Sequence, residues 1–181
     1  YFYVPNATEH NELPTDEAIH AIRVLRLKIG DDIFLIDGKG TFYEAVVTLA
    51  NSKHCLYKIT QTLVQNKTWK GHIHLAIAPT KDISRIEWLV EKATEIGFDE
   101  ISFLNCQFSE RKNLRIDRIE RIVISAMKQS RKAWKPIENN MLSFEDFMQK
   151  EVTGQKFICH CYNEIEKTDF FSNINNSGLF E

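Results

Sequence analysis

Two groups of residues in this sequence are of types that do chemistry. The first is a run of cations: between Arg111 and Lys135 lie nine of the chain's 23 basic residues but only two of its 25 acidic ones, while the whole chain carries a net charge of −2. The remaining 14 basic and 23 acidic residues leave the rest of the molecule acidic. Such segregation suits a face that meets a polyanion, although a solvated helix face has the same composition. Within the run, Arg111 follows a strand and Arg131 ends a helix, the places where cleft residues of parallel sheets gather, so both are read as functional. Glu110 is placed to accept a proton or simply to pair with Arg111. The second group is Cys159-His160-Cys161. On a strand these alternate sides, so the histidine would face away from both thiols, and the Cys-x-x-Cys spacing of a zinc site is missing. No metal site is expected there; small buried thiols fit better.

The elements that must carry these residues fall into two series. Up to about residue 66 the pattern is β-rich. Phe2 to Val4 and Ile33 to Ile36 read as strands, the latter turning at Asp37-Gly38-Lys39-Gly40 into a strand from Phe42 to Leu49, with another from Cys55 to Thr62. One helix interrupts them, opening at Thr15 with Asp16 and Glu17 in its first turn and carrying Ile19, Ile22, Val24 and Leu25 on a helical period. This predicts a small PUA-like or OB-like barrel. From residue 72 strands and helices alternate: a strand over 72–78, a helix opened by Lys81-Asp82 and closed by Gly97, a strand over 100–104, a long basic helix over about 114–132, a shorter helix over 143–149, and a third strand over 156–161. That alternation predicts an α/β unit built on a parallel sheet. The expected division is 1–66 and 72–181, with the polar stretch Gln65-Asn66-Lys67-Thr68 between.

At 100° per residue, Ile116, Ile119, Val123, Ala126, Met127 and Ser130 share one sector of the basic helix, and Arg118, Arg121, Ser125, Lys128 and Lys132 the opposite one. If the apolar face packs on the sheet, the cations form an outward stripe available to phosphates, with a steep salt dependence of binding. Trp134 beside it is placed to stack on an exposed base or to anchor the core.

No run approaches the roughly 20 apolar residues that span a bilayer, and the start Tyr1-Phe2-Tyr3-Val4-Pro5 lacks a signal-peptide pattern, so a cytoplasmic protein is expected. Four irregularly spaced cysteines are read as reduced thiols.

Several short strings now bear on identity. His20-Ala21-Ile22-Arg23-Val24-Leu25-Arg26, followed by Gly30-Asp31 and Asp37-Gly38, resembles the N-terminal PUA-like domain of the 16S rRNA uridine-N3 methyltransferases. Lys81, Glu87, Lys92 to Gly97, Ser109-Glu110-Arg111, Gln129-Ser130-Arg131 and Pro136 fall in that family's order and approximate spacing. The resemblance runs from about residue 2 to residue 162. It implies a knotted, SPOUT-type methyltransferase fold, methyl transfer from S-adenosylmethionine to uridine N3 of small-subunit rRNA, and a homodimer. Arg23 and Arg26 resemble the family's rRNA-contacting positions; for such a reaction Arg111 or Arg131 suits the stabilisation of an anionic base, and the stripe of Arg118, Arg121, Lys128 and Lys132 suits the positioning of rRNA. His160, Cys161 and Tyr162 stand where the family begins its cofactor pocket. Two departures stand out. Lys128 occupies a position where the family more often has an acid. The Gly-Pro-Glu-Gly and Leu-Arg-x-Glu-Thr-Ala segments that form the knot and most of the pocket do not occur; the chain runs instead into a polar tail ending Ser177-Gly178-Leu179-Phe180-Glu181. The methyltransferase unit is therefore expected to lack its knot segment in this chain. The alternatives are a non-catalytic RNA-binding paralogue or a ribosome-assembly domain whose cations meet acidic protein.

Overall fold

The computed structural model describes residues 1–151 and 154–174, so the tail read at 177–181 lies outside the described residues. In the N-terminal unit, β1 (Phe2–Tyr3), β2 (Asp32–Ile36), β3 (Thr41–Ala50) and β4 (Cys55–Val64) form a sheet in the order β1-β2-β3-β4, with β1–β2 parallel and the other pairs antiparallel. Two register shifts between β3 and β4 bend the long ribbon. Residues 11–13 run along the free edge of β4, with Leu13 donating to the Cys55 carbonyl (2.9 Å) and the Tyr57 N–H to the Asn11 carbonyl (2.7 Å). The segment that leaves β1 at one edge thus returns to the other, curling the sheet around Leu35, Tyr43, Ala45, Val47, Cys55 and Tyr57.

The helix α1 (Thr15–Ile19) closes this core, but not with the face its period predicts. At His20 it widens into a π-helical turn over His20–Val24. The extra residue per turn rotates the side chains beyond it, so Ala18 and Ala21 are buried while Val24 is 64% exposed and Leu25 half exposed.

In the second unit, β5 (His74–Ile77), β6 (Glu100–Asn105) and β7 (Ile137–Glu138) form a parallel sheet, and β8 (Leu142–Ser143) continues the β7 row along the far half of β6. The helices α2 (Ile83–Ile96) and α3 (Ile116–Ser130) cover one face, burying Ile86, Val90, Ile119, Val123 and Met127 on Ile101 and Phe103. Asp82 caps α2 by accepting from the Ser84 N–H at 3.0 Å, and Ser143 caps the short α4 (Phe144–Gln149). The alternate residues of the strands make the other face polar: Asn139 donates to Glu100 (2.6 Å) and to the Ser102 hydroxyl (3.0 Å), His72 meets Glu100 at 2.9 Å, and His74 meets Ser102 at 2.9 Å.

The third strand expected over 156–161 does not form. That segment is irregular, with Ile158 75% exposed, and is followed by the short α5 (Phe170–Asn173). An extended segment is held only by a neighbour's ladder. Here the row beside β6 is already taken by β7 and β8, two pieces of two residues that are too short to leave an alternation in the sequence.

The two units share their packing. Tyr1, Ile36 and Phe42 of the first belong to the helix-covered core of the second. The β2–β3 turn is stitched to residues 133–135 by Gly40 N–H to Ala133 C=O (3.0 Å) and Lys135 N–H to Gly38 C=O (2.9 Å).

Candidate functional site

The loop joining β6 to α3 lies at the carboxyl edge of the parallel sheet, where the strand ends and the following loops make a crevice. It begins as a tight turn, with the Ser109 N–H donating to the Cys106 carbonyl (3.0 Å) and the Cys106 N–H to the Ser109 hydroxyl (3.1 Å). Arg111 reaches across to the loop after β5, its Nε donating to the Thr80 carbonyl (3.2 Å) and its Nη2 to the Lys81 carbonyl (2.7 Å). Lys112 turns the other way, donating to Asn105 Oδ1 (3.0 Å) and to the Cys106 carbonyl (3.3 Å). Beside it opens a cleft of about 330 Å³ lined by Asn105, Lys112, Asn113, Asn140, Met141 and Ser143 among others. That volume lies at the lower end of the roughly 300–1,000 Å³ of small-molecule sites.

What distinguishes these two cations is what they bond. Arg111 and Lys112 give their donors to neutral carbonyl and amide oxygens, and no carboxylate lies within ion-pair distance of either among the described residues. Asp82 is close enough to feel Arg111, but hydrogen bonds from Ser84 are the main reason its carboxyl sits below the usual range. Glu110, beside Arg111, pairs instead with Lys81 at 3.5 Å. The edge therefore keeps its positive charge.

The predicted stripe on α3 is arranged differently. Its apolar sector faces the sheet as its period requires, but Arg118 is held by Glu87 (2.6 Å) and Arg121 by Asp117 (3.4 Å). Lys128 reaches into the junction between the units, bonding Glu17 of α1 at 2.6 and 2.9 Å. Lys132 donates to the Ile96 carbonyl at 3.3 Å. Three of the four predicted RNA contacts on this helix are thus neutralised by carboxylates, one of them as the bond that fixes α3 to the N-terminal unit.

Arg131 adopts the left-handed backbone (φ 55°) that ends α3, and its guanidinium lies 5.5 Å from the Tyr1 ring. Because α3 returns antiparallel to β6, this is the amino edge of the sheet; Arg111 and Arg131 are separated by the length of β6, roughly 17 Å, and the fold does not bring them together. A second cleft of about 170 Å³ lies there, with Lys67, Trp69, Arg131 and Trp134 in its lining. It is mostly a structural seam. Trp134 packs flat on Gly40 and donates to the Gln65 carbonyl (3.0 Å), and Trp69 packs on Gly97 and donates to Asp99 (2.8 Å). Asp99, its side chain 4% exposed, also accepts from the Ile73 N–H (2.7 Å) and from Lys67. Burial alone would raise its pKa, but these bonds hold it below the usual carboxylate range.

Arg23 and Arg26 are exposed at the end of the π turn, Arg26 at φ 57°, and neither has a side-chain partner among the described residues. His160 stacks on Tyr162 (6.2 Å) with its Nδ1 buried and unbonded, while Cys161 and Tyr162 are exposed. None of the three lines either cleft. Among the described residues, His160, Cys161 and Tyr162 do not form a pocket that fits S-adenosylmethionine. No group of three or more metal-ligating side chains occurs among the described residues, and no helix there is long and apolar enough to cross a membrane.

The sequence reading passed over Lys112 as one cation among nine, and over Asn105, Asn113 and Asn140 entirely. The available signal was the row Asn113, Asn139 and Asn140 flanking helix and strand ends, where amides are usually spent on turns.

Comparison with known proteins bears on this geometry. The model of an RNA methyltransferase domain matches residues 67–179, and that of an RNA methyltransferase PUA domain matches residues 13–60. The ribosomal RNA small subunit methyltransferase E of Rickettsia conorii is 26% identical over 140 residues, covering 77% of this chain and 57% of its own length. A probable rRNA-methyltransferase from Porphyromonas gingivalis superposes with a TM-score of 0.78 at 41% identity, over 83% of this chain and 63% of that one. The fold is shared with a ribosomal RNA small subunit methyltransferase E from Neisseria gonorrhoeae bound to S-adenosyl methionine, with a TM-score of 0.74 at 22% identity, over 84% and 65% of the two chains. The chain thus spans somewhat over half the length of that curated relative and under two thirds of these solved structures.

Proposed function

The chain belongs to the RNA methyltransferase family, and from that premise we propose that it takes part in methylation of N3 of a uridine in 16S rRNA, with S-adenosylmethionine as methyl donor. The donor and the ribosomal substrate come from the relatives' names; the uridine N3 position comes from the sequence resemblance. The single observation that carries the reading here is the pair of cations, Arg111 and Lys112, that have no carboxylate partner among the described residues and stand beside an amide-lined cleft at the carboxyl edge of a parallel sheet.

The chemistry asks for such an edge. The imide nitrogen of uracil is a weak nucleophile until its proton leaves, so the site must stabilise a negative charge spread over N3, O2 and O4 and hold the base in line for attack. S-adenosylmethionine, when bound, supplies an electrophilic methyl group. Arg111 provides a permanently charged, planar donor set, prepositioned by two carbonyls so that little reorganisation is needed. Lys112 and the exposed Arg23 and Arg26 hold the phosphate backbone, and Lys132, which no carboxylate pairs among the described residues, adds a longer-range field. Arg131, at the other edge, has no part with Arg111 in one chain's site and is assigned to RNA positioning. The unit 1–66 serves as the gripping module and 72–181 as the methyltransferase module. The resemblance extends the reading to a cytoplasmic homodimer.

Incubation of the protein with small-subunit rRNA and labelled S-adenosylmethionine, followed by mass spectrometry of the nucleosides, tests it. Appearance of N3-methyluridine, abolished in Arg111→Ala, is expected. Saturable RNA binding with no methyl transfer and no S-adenosylmethionine binding would establish the rival reading, a non-catalytic RNA-binding protein.

A further inference from the structure

Phe108 is 90% exposed, more than any other large apolar side chain described. It is not on a loose end. It sits one residue before Ser109 in the turn closed by the two Cys106–Ser109 hydrogen bonds, so the backbone that presents it is fixed while the ring meets no other ring among the described residues. Lys112 bonds the carbonyl of Cys106, the first residue of that turn, and lines the adjoining cleft. In the same cleft the side-chain amides of Asn113 and Asn140 make no hydrogen bond among the described residues.

We propose that Phe108 and this cleft form a subsite for one unpaired pyrimidine base of an RNA strand, with the base stacked on the Phe108 ring and its polar edge met by the amides of Asn113 and Asn140. The inference rests on the reading that this edge takes RNA, and adds which residues receive a base. Each component matches a need of the ligand. An exposed ring flanked by cations is the platform on which unstacked bases rest. A carboxamide offers one donor and one acceptor side by side, the complement of an N3–H and a neighbouring carbonyl of uracil. The charge around the tip decides between RNA and a protein partner. Among the described residues Arg111 and Lys112 face no carboxylate at ion-pair distance, so a protein would have to bring acids to them, whereas every nucleotide brings a phosphate.

The test is fluorescence anisotropy of a labelled single-stranded oligouridylate titrated with the 181-residue protein and with Phe108→Ala, Phe108→Trp and the double variant Asn113→Ala/Asn140→Ala. The double variant Arg111→Gln/Lys112→Gln serves as control for the RNA reading. Stacking on an aromatic side chain corresponds to a loss of roughly 5- to 150-fold in affinity on truncation to alanine. Phe108→Ala should lose affinity in that range and Phe108→Trp should retain it, with indole fluorescence quenched on binding. The amide double variant should weaken binding several-fold. Because Phe108 is exposed, thermal melting of Phe108→Ala and Phe108→Trp should match that of the wild type. Wild-type affinity in Phe108→Ala together with weakened binding by the charge variant would overturn the subsite and leave the RNA reading standing. A change confined to the oligomeric state in sedimentation would overturn it in favour of a protein contact. No oligouridylate binding by the wild type would overturn both.

Discussion

In the proposed reaction, Arg111 is the residue that meets the developing negative charge on the base. Its two bonds go to backbone carbonyls 30 and 31 positions away in sequence, so its guanidinium is aimed by the fold rather than by a charged neighbour. Arg111→Lys keeps the charge but loses the planar fork, and Arg111→Gln loses both. Removing a prepositioned donor to a developing anion lowers kcat by about 10²–10³, so methyl transfer should fall by that factor in Arg111→Gln and by less in Arg111→Lys. Asp99 makes a different prediction. Its folded-state pKa is depressed, so its stabilisation is complete above the ordinary carboxylate value of about 3.9 and is lost as the pH falls below it. Asp99→Asn removes the charge that Lys67, Trp69 and the Ile73 N–H share, and should cost about 1–3 kcal/mol in urea denaturation at pH 7. The difference from wild type should shrink at pH 3. The role of Asp99 was not legible in the sequence. Arg111 could be singled out by its place after a strand, but that its charge would stay free of carboxylates depends on Glu110 pairing with Lys81, a contact made through the fold.

At the scale of elements, the seam between the units depends on two glycines that admit tryptophans. Gly40 (φ 100°) and Gly97 (φ 121°) lie so close to the indoles of Trp134 and Trp69 that a Cβ at either would overlap the ring, and both have a left-handed backbone that a side chain strains. Gly40→Ala and Gly97→Ala should each destabilise by about 1–3 kcal/mol, read as a lowered melting temperature. Lys128→Ala should do likewise by stranding the largely buried Glu17 carboxylate. The helical period located α2 and α3 and the sectors that carry Ile86, Val90, Ile119, Val123 and Met127 into the core, because long amphipathic repeats carry their own signal, although Ile96 at the end of α2 is 79% exposed. It failed where geometry departs from the repeat. The π turn at His20 rotated Val24 and Leu25 to the surface. β7 and β8 went unseen because two-residue strands have no period, and the apolar run at 156–161 took their place in the reading.

For the molecule as a whole, the charge segregation visible in the sequence is real, but its location is not where the helical wheel put it. Composition counts cations; only the fold shows which are cancelled. Carboxylates from α1, α2 and α3 itself answer Lys128, Arg118 and Arg121, whereas Arg111 and Lys112 at the carboxyl edge and Arg23 and Arg26 on the π turn are among the cations that no ion pair cancels among the described residues. The most direct test is the salt dependence of RNA binding. Plotted as the logarithm of affinity against the logarithm of salt concentration, the slope should flatten by about 0.7 for each cation lost that neutralises a phosphate of single-stranded RNA. Arg111→Gln/Lys112→Gln should flatten it by about 0.7–1.4 and weaken binding, whereas Arg118→Gln/Arg121→Gln should leave the slope nearly unchanged. The reverse order, with the α3 pair setting the slope and the edge pair silent, would contradict the account.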